Sequence, residues 1–251
     1  MTELEICVDS VASAIAAEQG GADRIELCSA LSEDGLTPSL GLLRIVRSRV
    51  QLGLNVILRP RGGDFIYDDD EFAVMRVDLR AAKQAGCDGI VLGILTAEGR
   101  IDCVRTRQLI EEAAPLPVTF HRAFDMVADQ TAALEEAIDC GAARVLSSGG
   151  KPTAMEGREN LASLQYQANG RIQMMAGGGV RQHNLHEIVA ATHITALHTS
   201  LARHAPMAPE VVGPVISSVP RRKVDVEDVR RFREEFAHAV ELYGTTQVQY
   251  F

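Results

Sequence analysis

Tryptophan is absent and aromatic residues make up only 4% of the chain, too few for a protein built around stacking on bases or sugar rings. No stretch approaches the ~18 consecutive apolar residues that a membrane-spanning helix requires, and no membrane partner is expected. The opening Met1-Thr2-Glu3 leads straight into a strand pattern without a basic and then apolar region, so a secretory leader is not expected. A basic stripe is also missing. The net charge is -9, and the tight run Arg221-Arg222-Lys223 is followed at once by acidic residues. It reads as a solvated approach to a helix, and nucleic acid is not expected as a partner. The five cysteines are odd in number, with no CxxC pair. That usage points to a reducing compartment, the cytoplasm.

What is present is alternation. Strands are expected at 4–8, 24–28, 55–59, 89–92, 117–120, 144–147, 172–176 and 195–198, each followed by a helical pattern. The clearest helices are one capped by Asp9-Ser10, one opening at Thr37-Pro38-Ser39, and those at about 70–85, 130–140 and 225–243. Another follows Asp102, one lies within 153–168, and one follows near Arg181. An internal repeat supports the count. Gly21-Ala22-Asp23-Arg24-Ile25, Gly86-Cys87-Asp88-Gly89-Ile90 and Gly141-Ala142-Ala143-Arg144-Val145 each read as a glycine helix stop, small residues, then a strand. Parallel βα units repeated in this way close as a single (β/α)8 TIM-like barrel over residues 1–251. An open doubly wound sheet would want a glycine fingerprint after the first strand, and Cys7-Val8-Asp9-Ser10 has no glycine. Residues 201–224 lack periodicity and hold four prolines, so they read as a long loop, a lid or a partner contact.

Strand alternation sorts the side chains. Leu4, Ile6, Val8, Ile25, Leu27, Val56 and Leu58 face the helices. Glu5, Cys7, Arg24, Glu26, Cys28, Ile57, Arg59, His121 and His198 then face the barrel interior. A barrel is ordinarily filled with aliphatic residues, and buried charges are costly unless paired. Ionisable groups converging from five strands form either a structural ion network, with Glu5 and Glu26 neutralised by Arg24 and Arg59, or a site. The stretch Thr119-Phe120-His121-Arg122-Ala123-Phe124-Asp125 puts an imidazole, a guanidinium and a carboxylate at the C-terminal end of the fifth strand, where barrels place chemistry.

Two further signals stand beside it. Ser147-Ser148-Gly149-Gly150 and Gly177-Gly178-Gly179-Val180 follow strands six and seven. They are either tight turns or backbone cradles for phosphate or another anion. Arg61, Asp64, Arg122, Asp125, Gly149, Gly177, Gly178 and His198 are accordingly the expected substrate or anion contacts. Cys7 and Cys28, on neighbouring strands, are either buried filler or a thiol pair able to hold Cu(I).

Leu4-Glu5-Ile6-Cys7, Gly21 to Cys28, Gly35-Leu36-Thr37-Pro38-Ser39, Arg59-Pro60-Arg61-Gly62-Gly63-Asp64-Phe65, Thr119 to Asp125, and Ala176-Gly177-Gly178-Gly179-Val180 together resemble the CutC family, named for copper homeostasis. The resemblance implies a cytoplasmic TIM-like barrel, dimeric in many members, that binds Cu(I), with Cys28 as the copper thiol and Cys7 beside it. No organic cofactor is expected. The residues themselves also suit a barrel enzyme of lyase, isomerase or epimerase type. There His121 would be the general acid or base, Glu5 or Glu26 its partner, and Arg59 and Arg61 the clamp on a polar or phosphorylated metabolite. They equally suit a barrel that only binds such a metabolite.

Overall fold

The chain is described from a computed structural model over residues 2–204 and 222–244. Eight strands pair in sequence order and close on themselves: β1 (Glu3–Val8), β2 (Arg24–Leu27), β3 (Gly53–Ile57), β4 (Gly89–Leu92), β5 (Val118–Phe120), β6 (Arg144–Ser147), β7 (Gln173–Ala176) and β8 (Ala196–Thr199). Every barrel pair is parallel, including the closing pair of β1 with β8. The helices that follow the strands are α1 (Val11–Gln19), α2 (Leu40–Arg49), α3 (Asp69–Gln84), α4 (Cys103–Ala113), α5 (Gln130–Cys140), α6 (Arg158–Ala168), α7 (Leu185–Thr192) and α8 (Val226–Tyr243). This is the (β/α)8 barrel expected from the alternation.

Local sequence sets most boundaries. Ser10, Ser39, Asp102 and Asp129 accept backbone N–H groups at the starts of α1, α2, α4 and α5. Asp68 and Glu71 form a reciprocal capping box at α3. The repeated glycines Gly21, Gly86 and Gly141 all have φ between +83° and +89°, the left-handed conformation that ends a helix and turns the chain into a strand. Some edges differ from the sequence pattern. β3 starts two residues early because Gly53 already pairs with Arg24. α7 starts at Leu185 because Arg181 N–H is taken by the Asn184 side chain in a preceding turn.

The outward phase of the strands, including Leu4, Ile6, Val8, Ile25, Leu27, Val56 and Leu58, joins one apolar layer beneath the helices. Val229, Phe232 and Phe236 of α8 complete that layer, and Val229 packs on Gly20 where α1 ends. The barrel interior holds two small apolar clusters. One is Cys7, Cys28, Ile57 and Val91, and the other is Leu146, Met175 and Ala196. Most of the remaining interior positions are polar or glycine.

Of the expected loop at 201–224, residues 205–221 lie outside the described residues. Its two ends meet, with β9 (Arg203–His204) pairing antiparallel with β10 (Arg222–Lys223). Arg222 is therefore not the solvated approach to a helix that its basic neighbours suggested. It is half-buried and lines the barrel mouth. No helix among the described residues is long and apolar enough to cross a membrane.

Candidate functional site at the barrel mouth

Strand register stacks the interior in levels. Glu5 lies beside Arg24 on β2 and beside His198 on β8. Two residues further along β1, Cys7 lies beside Glu26. Glu5 is fully buried and accepts from Arg24 Nε at 2.6 Å and from Asn55 Nδ2 at 2.9 Å. His198 Nδ1 is 2.8 Å from its other oxygen. Burial alone would raise the Glu5 pKa; the His198 hydrogen bond and the Arg24 charge outweigh it and hold the carboxyl at about 2. Glu5 is thus an ionised pillar that orients His198 from below.

Above it, Cys7 Sγ, a Glu26 oxygen and a His198 ring nitrogen all lie within 4.8 Å of one another. Because His198 Nδ1 is engaged with Glu5, Nε2 is the nitrogen left for the level above. Cys7 Sγ is 3.5 Å from Glu26 Oε1 and 3.5 Å from Cys28 Sγ. The Cys28 thiol, burial and the Glu26 charge keep the Cys7 thiol well above its usual pKa. Burial would lower the pKa of His198, but the Glu26 charge, the contact with Cys7 and the Glu5 hydrogen bond raise it. Burial raises the pKa of Glu26. At this level a thiol and an imidazolium therefore sit beside Glu26, over the Glu5 carboxylate.

Cys7, Glu26 and His198 form the floor of a cavity of about 400 Å³ that opens at the C-terminal ends of the strands. Cys7, Glu26, Arg59, His121, Arg122, Asp125, Gly178 and His198 line it. Glu5 and Cys28 do not. Cys28 is fully buried behind Cys7, and its thiol donates to Val8 O at 3.4 Å. Arg61 and Asp64 pair with each other, and Arg61 also with Glu71, outside the cavity. The neutralisation of Glu26 by Arg59 does not form. Arg59 instead donates to the carbonyls of Glu33, Gly35 and Gly63 and packs over Phe65.

His121 forms one wall. Its ring lies over Gly93, where an added Cβ would sit 2.5 Å from Cε1, and 4.9 Å from the Phe65 ring. Nδ1 accepts the Ala123 N–H at 3.1 Å, so in the neutral ring Nε2 carries the hydrogen. Burial and the Arg59 charge lower the pKa to about 3, so the ring is neutral at physiological pH. Nε2 is buried and without a hydrogen-bond partner among the described residues.

Asp125 is committed to structure. Its carboxylate accepts from Ser147 Oγ at 2.6 Å, from the Ser148 and Gly150 amides, and from Arg122 Nε at 2.8 Å. This clamp shapes the turn after β6, and Gly149 is held within it by Ser147 Oγ and Asn160. Gly177 packs against Leu146 and His198, where an added Cβ would meet Leu146 Cδ1 at 2.5 Å.

Arg181 and Arg222 also line the mouth and were not singled out from the sequence as site residues, whereas Gly179 lines it within the glycine run read there as either a tight turn or an anion cradle. Arg222 carried no signal, because only the β9–β10 pairing brings it over the mouth.

Residues 2–203 match the CutC family model. A copper homeostasis protein cutC homolog of Homo sapiens is 52% identical over 197 residues, covering 78% of this chain and 72% of that protein. A CutC family protein of Chromobacterium violaceum is 49% identical over 197 residues, 78% of this chain and 80% of the relative. Among solved structures, a putative copper homeostasis protein CutC from Streptococcus agalactiae superposes with a TM-score of 0.75 at 31% identity, covering 80% of this chain and 99% of that one.

Proposed function

The chain belongs to the CutC family, and from that premise we propose that it serves copper homeostasis by binding Cu(I) in the cytoplasm at the floor of the barrel mouth. Cys7 and His198 are the principal ligands, and Glu26 closes the third side. The observation that carries the reading is the convergence of these three donor atoms within 4.8 Å of one another, open to a cavity. Thiol and imidazole donors suit Cu(I), and the Cys28 sulfur 3.5 Å from Cys7 is a second soft donor in reach. Glu5 serves as the carboxylate that fixes the tautomer of a metal-binding histidine. The expectation from family resemblance put Cys28 first. Its full burial and its bond to Val8 favour Cys7 as the sulfur that meets the ion, with Cys28 joining from behind. The family resemblance also carries a homodimer as the working assembly.

Binding displaces the protons that the cluster holds on Cys7 and His198. Affinity should therefore rise with pH by roughly 10- to 100-fold per pH unit near neutrality, one decade for each proton released. An anaerobic Cu(I) titration against a strong competing chelator tests the site. Cys7→Ser should weaken binding by at least ~100-fold and His198→Gln by at least ~10-fold, with Cys28→Ser between wild type and Cys7→Ser. Wild-type affinity retained in Cys7→Ser would overturn the assignment. Tighter binding of Zn(II) than of Cu(I) would assign the cluster to a harder ion.

A further inference from the structure

Four arginines, Arg59, Arg122, Arg181 and Arg222, line the mouth against Asp34, Asp125 and, at the floor, Glu26, a positive excess that the copper reading does not use. Arg59, Arg181 and Arg222 line the cavity, and none has a carboxylate at ion-pair distance among the described residues. Arg181 donates to Val180 O and to Thr199 Oγ1, and Arg222 reaches Ser200 Oγ. Burial and then the charge of Arg222 lower the Arg181 pKa. In a chain of net charge -9, such a patch is a local inversion that concentrates anions.

Three other features converge on the same space. Gly178 and Gly179, with φ of +91° and +68°, line the rim between Arg122 and Arg181. Their N–H groups take no acceptor among the described residues. A side chain at Gly178 would meet Arg122 Cζ at 3.1 Å, so glycine keeps these amides approachable. Across the cavity, His121 is 4% exposed, and its Nε2–H has no acceptor among the described residues. A buried donor left without a partner is costly, and a ligand oxygen would satisfy it.

We propose that the barrel mouth binds a small organic phosphate, with the phosphoryl group between Arg181 and Arg222 against the amides of Gly178 and Gly179, and an oxygen of the ligand body accepting from His121 Nε2. A phosphate monoester carries close to two negative charges near neutral pH, matching two guanidiniums that have no carboxylate at ion-pair distance among the described residues. Its tetrahedral oxygens can take guanidinium and amide donors together. The cavity of about 400 Å³ fits a small metabolite.

The test uses the full chain without copper, so its outcome is separate from that of the metal site. Thermal stabilisation and titration calorimetry would be run with inorganic phosphate, glycerol 3-phosphate, malonate and sodium chloride at matched ionic strength. Saturable stabilisation by both phosphates, beyond that from malonate or chloride, is expected. Arg181→Gln and Arg222→Gln should each weaken it by ~10-fold or more. His121→Gln should weaken glycerol 3-phosphate but not inorganic phosphate. Equal shifts from malonate or chloride, or phosphate binding unchanged in both arginine variants, would overturn the proposal. Arg222 lies on a short peripheral strand, so its variant keeps the test decisive if Arg181→Gln does not fold.

Discussion

Glu5→Ala is expected to lose roughly 3–5 kcal/mol of stability, the range for removing one partner from a buried ion pair. The side chain is fully buried and holds Arg24, Asn55 and His198 at once. Its removal leaves a guanidinium that is only 8% exposed with Glu3 alone as counter-charge. It also leaves His198 Nδ1 without its partner. Two effects should therefore appear together. The midpoint of urea unfolding falls with the denaturant slope unchanged, and Cu(I) affinity falls by about 10- to 100-fold through the lost orientation of His198. Glu5→Gln keeps the shape and the possibility of hydrogen bonds, so it should lose less stability than Glu5→Ala. A loss below ~1 kcal/mol in Glu5→Ala would mean that the pair contributes no more than an exposed salt bridge.

Acid should destabilise the protein in a window set by His121. Burial, with the Arg59 charge second, lowers its pKa from 6.5 to about 3, while the unfolded chain keeps the ordinary value. The charged groups that face it are Arg59 and Asp125. Between the two pKa values the unfolded state binds a proton that the folded state refuses. The stability from this residue is thus complete above pH 6.5 and drains as pH falls toward 3. At about 1.4 kcal/mol per pH unit the loss is about 3 kcal/mol by pH 4, and roughly 4–5 kcal/mol by pH 3. Glu5, held at about 2 against an ordinary 4.5, adds a loss of the same sign that begins below pH 4.5. His198 has the opposite sign. Its raised pKa gives stability that is full below pH 6.5 and is lost as pH climbs through the folded value. Unfolding free energies of wild type and His121→Gln at a series of pH values isolate the first contribution. The two curves should differ in slope between pH 6.5 and 4. Parallel curves would show that His121 takes up its proton at an ordinary pH.

The phase of each strand was readable from the chain because the outward set is apolar and the inward set is not. Leu4, Ile6 and Val8 against Glu5 and Cys7 is the clearest case, and closing the barrel then carried the rest. Glycine stops at Gly21, Gly86 and Gly141 were readable because a positive φ favours that residue. Depth and reach were not readable. Cys28 and Cys7 both belong to the inward phase, yet only Cys7 meets the cavity, because Cys28 lies behind it against Val8 O. Arg61 and Asp64 sit past the end of β3 in a turn whose partner is Glu71, a pairing that no strand period could indicate. The meeting of His198 with Glu5, 193 positions apart, follows from the β1–β8 closure and its register. Arg222 reaches the mouth through a pairing of loop ends with no periodic signal.

Copper held by Cys7 and by the histidine that Glu5 orients would leave a mixed sulfur and imidazole signature. Copper K-edge X-ray absorption of the Cu(I)-loaded protein and of the loaded His198→Gln variant tests for it directly. The wild type should show sulfur together with the multiple-scattering signature of one imidazole, and that signature should disappear in the variant while sulfur remains. A sphere of nitrogen and oxygen alone, or an imidazole signature unchanged in His198→Gln, would contradict the assignment and leave the floor of the mouth an ion-pair network.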